Sequence, residues 1–127
     1  MKKVFIFLAE GFEEMEAITP IDILRRAGVE VVTVSVSDNV MVVGAHKITV
    51  KADQLFSETD FSDNAYLILP GGGLGTSNLA AHRGLNELVL SQFEKGKNLA
   101  AICAAPSVFG NLGILSGKEA VCYPGFE

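Results

Sequence analysis

The chain is poor in the residues from which disulfide scaffolds, metal centres and nucleic-acid surfaces are built. It has two cysteines in 127 residues, Cys103 and Cys122. Two thiols make no disulfide framework and fit a reducing compartment. The only histidines, His46 and His82, lie far apart and far from both cysteines in the sequence. That spacing suggests no ligand set, and neither metal nor cofactor is expected. Ten Lys and Arg are outnumbered by fifteen Asp and Glu, for a net charge of −5. Basic residues cluster no further than Lys2-Lys3 and Arg25-Arg26. Nucleic-acid binding, which wants a basic face, is not expected. No apolar run is long enough to cross a bilayer. Met1 to Leu8 has a basic start and a short apolar run, but four glutamates follow by residue 16. This reads as the first strand of a cytoplasmic protein, not as an export signal. There is no internal repeat and no low-complexity linker.

What is present is an ordinary globular composition, 49% hydrophobic and 20% charged. The length predicts one domain over 1–127, able to bury roughly two-thirds of its unfolded surface. Strand and helix patterns alternate. KVFIFL (3–8) is a continuous apolar run, as in a strand covered on both faces. A helix is predicted over 13–27, with acids in its first turn, Arg25 and Arg26 in its last, Gly28 beyond it and Pro20 as an internal conflict. Strands are predicted over 29–36, 65–69, 99–102 and 120–123. A small hairpin is expected around Gly44-Ala45, and helices over 84–95 and 104–113. The alternation implies an α/β fold with a doubly wound, flavodoxin-like parallel sheet. Ligands in such folds bind beyond the carboxyl ends of strands.

Three segments fall at such ends: the acidic stretch after Leu8, the glycines after Leu69, and Cys103 after Ile102. Cys103 sits where a strand turns into a helix. Free N–H groups there would aim at the sulfur and lower its pKa. The other reading is a small buried hydrophobe. Pro70-Gly71-Gly72-Gly73-Leu74-Gly75 lacks the last glycine of a dinucleotide fingerprint and any Walker lysine. Its N–H groups, at Gly72 or Gly73, together with that of Ala104, suit an oxyanion hole; the alternative is a plain turn. Glu16 either faces the thiol as a protonated acid or is one of several solvated acids at a helix start. His82, just before a predicted helix, reads as a surface residue.

Taken together, Ala9-Glu10-Gly11-Phe12-Glu13-Glu14-Met15-Glu16, Pro20-Ile21-Asp22, Leu24-Arg25-Arg26-Ala27-Gly28, Leu69-Pro70-Gly71-Gly72, Asn78-Leu79 and Ala101-Ile102-Cys103-Ala104-Ala105-Pro106 resemble the ThiJ/PfpI family, in its parkinsonism-associated deglycase branch. The resemblance covers the whole chain. It implies a class I glutamine amidotransferase-like fold, of which 1–127 would be the N-terminal two-thirds. It implies Cys103 as the reactive cysteine, Glu16 as the protonated acid touching its sulfur, and Gly72 and Ala104 as oxyanion donors. Tyr123 falls where some relatives carry an accessory histidine. His46 falls where relatives put a polar residue at a dimer interface. Ala104 stands where the protease and amidotransferase branches have histidine.

The implied function is cysteine-dependent defence against reactive carbonyls and oxidative stress, of glyoxalase or deglycase type. Its substrate would be a small carbonyl such as methylglyoxal, or a glycated protein or nucleotide. The alternative is a non-enzymatic cysteine redox sensor or chaperone. A protease or thiazole-biosynthesis role is a weaker one. A homodimer is expected, with Arg25 and Arg26 meeting a neighbour's Glu13 and Glu14 across a two-fold axis.

Overall fold

A computed structural model describes residues 2–127. The apolar run Lys3–Leu8 forms β1 at the centre of a five-stranded sheet. Its side chains alternate between two cores, as the pleat requires. Phe5 and Phe7 point to one face; Val4, Ile6 and Leu8 point to the other. Both faces are covered, which is why the run carries no polar alternation.

The chain leaves β1 into helix α1 (Glu14–Arg26) and returns in β2 (Val31–Ser35), parallel to β1. Acids open α1 and arginines close it, in accord with its dipole. Pro20 lies within α1 without ending it. The expected hairpin forms from β3 (Met41–Val43) and β4 (Thr49–Lys51), an antiparallel pair outside the main sheet. A short strand, β5 (Gln54–Leu55), then adds to β2, and a 3-10 turn follows at Phe56–Glu58. The chain crosses back to β6 (Asn64–Leu69), parallel to β1 on its other side. After α2 (Gly73–Ala81) and α3 (Arg83–Glu94) comes β7 (Asn98–Ala101), and then α4 (Pro106–Asn111).

The strand order β5-β2-β1-β6-β7 is all parallel, as expected of a doubly wound sheet. The order reverses between β1 and β6, so a crevice opens at their carboxyl ends. One core joins Phe5, Phe7, Leu67 and Leu69 to Leu79, Leu85, Val89 and Val108 of α2, α3 and α4. The second packs Ala17 and Ile21 of α1 and Val42 of the hairpin onto Val4, Ile6 and Leu8. On that second face, β6 and β7 carry an open apolar hollow of about 400 Å³ lined by Met15, Pro20, Ile68, Ala100 and Ile102.

Three local expectations are corrected. Helix α2 was not expected, because its two glycines, Gly73 and Gly75, each weaken a helix. One of them is needed: a Cβ at Gly75 would lie 2.7 Å from the Phe12 Cα, so the helix rests directly on the loop after β1. Residues 120–123 form no strand; Val121 is 89% exposed, and β7 remains the sheet edge. The helix after Cys103 begins at Pro106, not at residue 104, because residues 103–105 form a turn. Among the described residues no helix is long and apolar enough to cross a membrane.

Candidate active site

Backbone hydrogen bonds tie the loops at the crevice together. The Glu13 N–H donates to the Gly71 carbonyl at 3.0 Å, and Gly75 N–H donates to Gly11 O at 3.2 Å. Asn78 Nδ2 donates to Glu10 O at 2.9 Å. The loop after β1 is thereby docked on the glycine run after β6.

Cys103 follows β7 in a left-handed conformation, φ 62°, which is rare for a residue with a Cβ. Such backbone is held only where its surroundings determine it. Here the Ala105 N–H bonds Ile102 O at 3.0 Å and the Tyr123 N–H bonds Cys103 O at 2.7 Å. The turn aims the thiol back toward β6 and α1. The N–H groups of Ala104 and Gly72 reach the sulfur, as does the carboxyl of Glu16 from the first turn of α1. Gly71 N–H donates to Glu16 Oε1 at 3.0 Å and fixes that carboxyl. A Cβ at Gly71 would lie 2.5 Å from Glu16 Oε1 and 2.8 Å from the Cys103 Cβ, so only glycine leaves room for the pair to meet.

Cys103, Glu16, Gly72 and Ala104 therefore converge, although they come from three separate strand ends. The acidity expected of the thiol is corrected. Burial pushes the Cys103 pKa up, and so do the hydrogen bond to Glu16 and the charge of Glu16. The Ala104 and Gly72 N–H groups oppose this without reversing it. Burial, with the Glu16 carboxyl against the sulfur, outweighs two N–H dipoles.

The other two candidates lie apart from the sulfur. Tyr123 meets Cys103 through its backbone, and its half-exposed ring sits edge-on to Phe126. His46 projects from the β3–β4 hairpin onto Glu14. Its Nδ1 is 3.0 Å from Glu14 Oε1 and 3.6 Å from Glu13 Oε1.

Glu14 is the residue the sequence hid. It is buried under the hairpin, where its Oε2 accepts the N–H groups of His46 at 2.8 Å and Ile48 at 3.2 Å. Burial alone would raise its pKa. The His46 ring, its own N–H and those of His46 and Ile48 outweigh burial and hold it at about 2. The bond to Glu14 and the charges of Glu13 and Glu14 in turn raise the His46 pKa. In the sequence Glu14 is one of several helix-start acids, and only the folded hairpin distinguishes it. His82 is likewise no simple surface group. Half-buried beside Phe56, it caps α3 by accepting the Leu85 N–H at 2.9 Å, and burial lowers its pKa.

Within the chain, the two arginines expected at a two-fold contact have acidic partners of their own. Arg25 is held by Asp53 at 2.8 Å and Arg26 by Asp22 at 3.0 Å, while Glu14 is spent on the hairpin.

A model of the DJ-1/PfpI family matches residues 2–127. The chain belongs to this family. As a DJ-1/PfpI chain, it is 43% identical over 126 residues to protein DJ-1 homolog B of Arabidopsis thaliana, covering 98% of itself and 29% of that protein. It is 32% identical over 125 residues to a deglycase of Pyrococcus abyssi, covering 98% of itself and 74% of the relative. Among solved structures, oxidized DJ-1 of Toxoplasma gondii superposes with a TM-score of 0.94 at 38% identity. That likeness covers 99% of this chain and 69% of the other. The chain thus spans under a third of the plant relative and about two-thirds of the protozoan one.

Proposed function

We propose that this DJ-1/PfpI chain carries a cysteine-dependent activity of reactive-carbonyl defence, acting on methylglyoxal or on its adducts with protein or nucleotide. The observation that carries the reading is the convergence of the Glu16 carboxyl and the N–H groups of Gly72 and Ala104 on Cys103 Sγ. A relative named as a deglycase supports the substrate class.

The chemistry follows from the donor set. Cys103 Sγ attacks the aldehyde carbon; a C–S bond forms and the carbonyl electron pair moves to oxygen. The N–H groups of Gly72 and Ala104 stabilise that oxyanion. Glu16 delivers a proton to it, giving a hemithioacetal. With methylglyoxal, Glu16 then moves a proton from the former aldehyde carbon to the neighbouring carbonyl carbon through an enediol, leaving a thioester. Water hydrolyses the thioester to a 2-hydroxy acid and frees the thiol. The proton that the thiol gives up as the C–S bond forms is the one that Glu16 passes to the oxyanion. A proton on Glu16 turns an acceptor facing the sulfur into a donor.

The second reading is a redox sensor in which Cys103 is oxidised to a sulfinate. The protozoan relative with the same fold was solved in an oxidized form, and the same donors would hold sulfinate oxygens. A homodimer through α1 and the 44–46 segment belongs to either reading. Exposed Met15 and Ile18 on α1 favour it, and light scattering tests it.

Methylglyoxal turnover separates the two. Activity abolished by Cys103→Ser and lowered at least about tenfold by Glu16→Gln, but not by Glu13→Gln, supports the enzyme. No turnover by the unmodified protein would reject it.

A further inference from the structure

We propose that His82 is an acid-sensitive latch between α2 and α3. Neutral, its ring holds the joint of the two helices; protonated, it leaves its niche for the pocket beside it, and the joint loosens. Both helices end on this residue. Its backbone N–H closes α2 on Leu79 O at 3.1 Å, and its Nδ1 opens α3 by accepting the Leu85 N–H at 2.9 Å. Since Nδ1 is the acceptor, the neutral ring carries its proton on Nε2. The niche is tight. The ring lies edge-on to Phe56 with centroids 4.6 Å apart. On the α3 side a Cβ at Gly84 would stand 3.2 Å from His82 Cε1 and 2.8 Å from Phe56 Cε1, so the backbone closes the niche there.

Three effects act against a proton on Nδ1. It would set an N–H against the Leu85 N–H and turn the cap into a repulsion. It would place a cation at the positive end of α3. It would charge a half-buried ring packed on Phe56. Burial accordingly lowers the His82 pKa, and its own backbone opposes this without reversing it. Of the elements around the ring, the loop after β1 carries Glu10, the segment after β2 Asp38, the 3-10 turn Glu58, and α3 Arg83 and Glu87; α2 carries no charged residue. Arg83 pairs with Glu87, and Glu10 Oε1 accepts the Val43 N–H. Burial, not any of these charges, sets the direction of the shift. The way out is a pocket of about 290 Å³ at the carboxyl ends of β1 and β2, which His82 lines with Glu10, Ser37 and Asn78. There an imidazolium meets water and the Glu10 carboxylate.

The sign follows from the cap. Its contribution is complete above the ordinary histidine value of 6.5 and is lost as pH falls below that toward the folded pKa. The first measurement is an NMR titration of the unmodified protein from about pH 7.5 to about pH 5. The His82 ring should titrate with a midpoint below 6.5, and the Leu85 amide proton should move upfield with the same midpoint as its bond breaks. The second measurement compares the full chain with His82→Asn, which keeps an N-cap acceptor and cannot titrate. Amide exchange, corrected for its intrinsic pH dependence, is followed at the last turn of α2 and the first turn of α3. Protection in the unmodified protein should fall at least about threefold on acidification, toward the low end of what losing a cap does to a helix. In His82→Asn it should stay level. Neither readout involves Cys103, and the titration stands whatever the fate of the variant. A His82 midpoint at or above 6.5, a Leu85 amide that does not follow it, or equal losses of protection in both proteins would overturn the proposal.

Discussion

Three consecutive glycines, Gly71, Gly72 and Gly73, should respond to alanine in three different ways. At Gly71 a Cβ would lie 2.5 Å from Glu16 Oε1, 2.8 Å from the Cys103 Cβ and 3.1 Å from Ile102 O. The carboxyl can swing aside, but the strained turn at Cys103 cannot yield without losing its backbone bonds. Overpacking of this kind costs about 1–3 kcal/mol. At Gly72, φ is 96° and a Cβ would lie 2.5 Å from Gly11 O and 2.8 Å from Glu13 N. Backbone strain of about 1–3 kcal/mol adds to a similar packing cost. At Gly73 nothing lies within 4 Å, and the residue opens α2. Alanine there should stabilise by about 0.4–1 kcal/mol through the unfolded state. At this chain length 1 kcal/mol moves Tm by roughly 3–6 °C. Thermal melting should therefore order the variants Gly73→Ala above the unmodified protein, then Gly71→Ala, then Gly72→Ala. Iodoacetamide alkylation of Cys103 should change several-fold in Gly71→Ala and stay level in Gly73→Ala. If Gly71→Ala melts and alkylates like the unmodified protein, Glu16 and Cys103 do not meet across that residue.

Glu14 should make stability sensitive to acid. Its pKa is about 2 in the fold against 4.5 ordinarily, so its contribution is complete above pH 4.5 and is lost as pH falls toward 2. The raised pKa of His46 works in the opposite sense: its smaller, exposed contribution is complete below 6.5 and fades as pH rises through the folded value. Urea midpoints should fall between pH 4.5 and 2.5, and Glu14→Gln should flatten that limb; equal slopes would contradict the buried clasp. Tyr123→Phe should leave Cys103 alkylation within about twofold, since Tyr123 reaches Cys103 through its backbone N–H. A tenfold loss would return the phenol to the site. Under mild peroxide, mass spectrometry should find oxidation at Cys103 before Cys122, because the Ala104 and Gly72 N–H groups at the Cys103 sulfur would bind the oxygens of a sulfinate. The reverse order would count against the proposed chemistry.

Strands β1, β2, β6 and β7 and helices α1, α3 and α4 were legible from sequence because their signals are local. KVFIFL is apolar throughout since both its faces are covered, and Leu85, Leu88 and Val89 recur at helical spacing. A parallel sheet then places its loops by topology, which groups the acidic stretch after Leu8, the glycines after Leu69 and Cys103, while the family resemblance singled out Glu16 among the acids. Other features depended on contacts between distant segments. Helix α2 forms because Gly75 rests on Phe12, which its glycine-rich composition does not suggest. The 120–123 stretch has strand-like residues, but no partner edge receives them. Glu14 and Glu16 are two residues apart and alike in type, yet one anchors a hairpin and the other faces a thiol. The direction of the Cys103 pKa shift is tertiary as well. A turn and its N–H groups can be read from neighbours in the chain, but burial and a carboxylate arriving from another strand end are long-range terms, and in a low-dielectric crevice they are the larger ones.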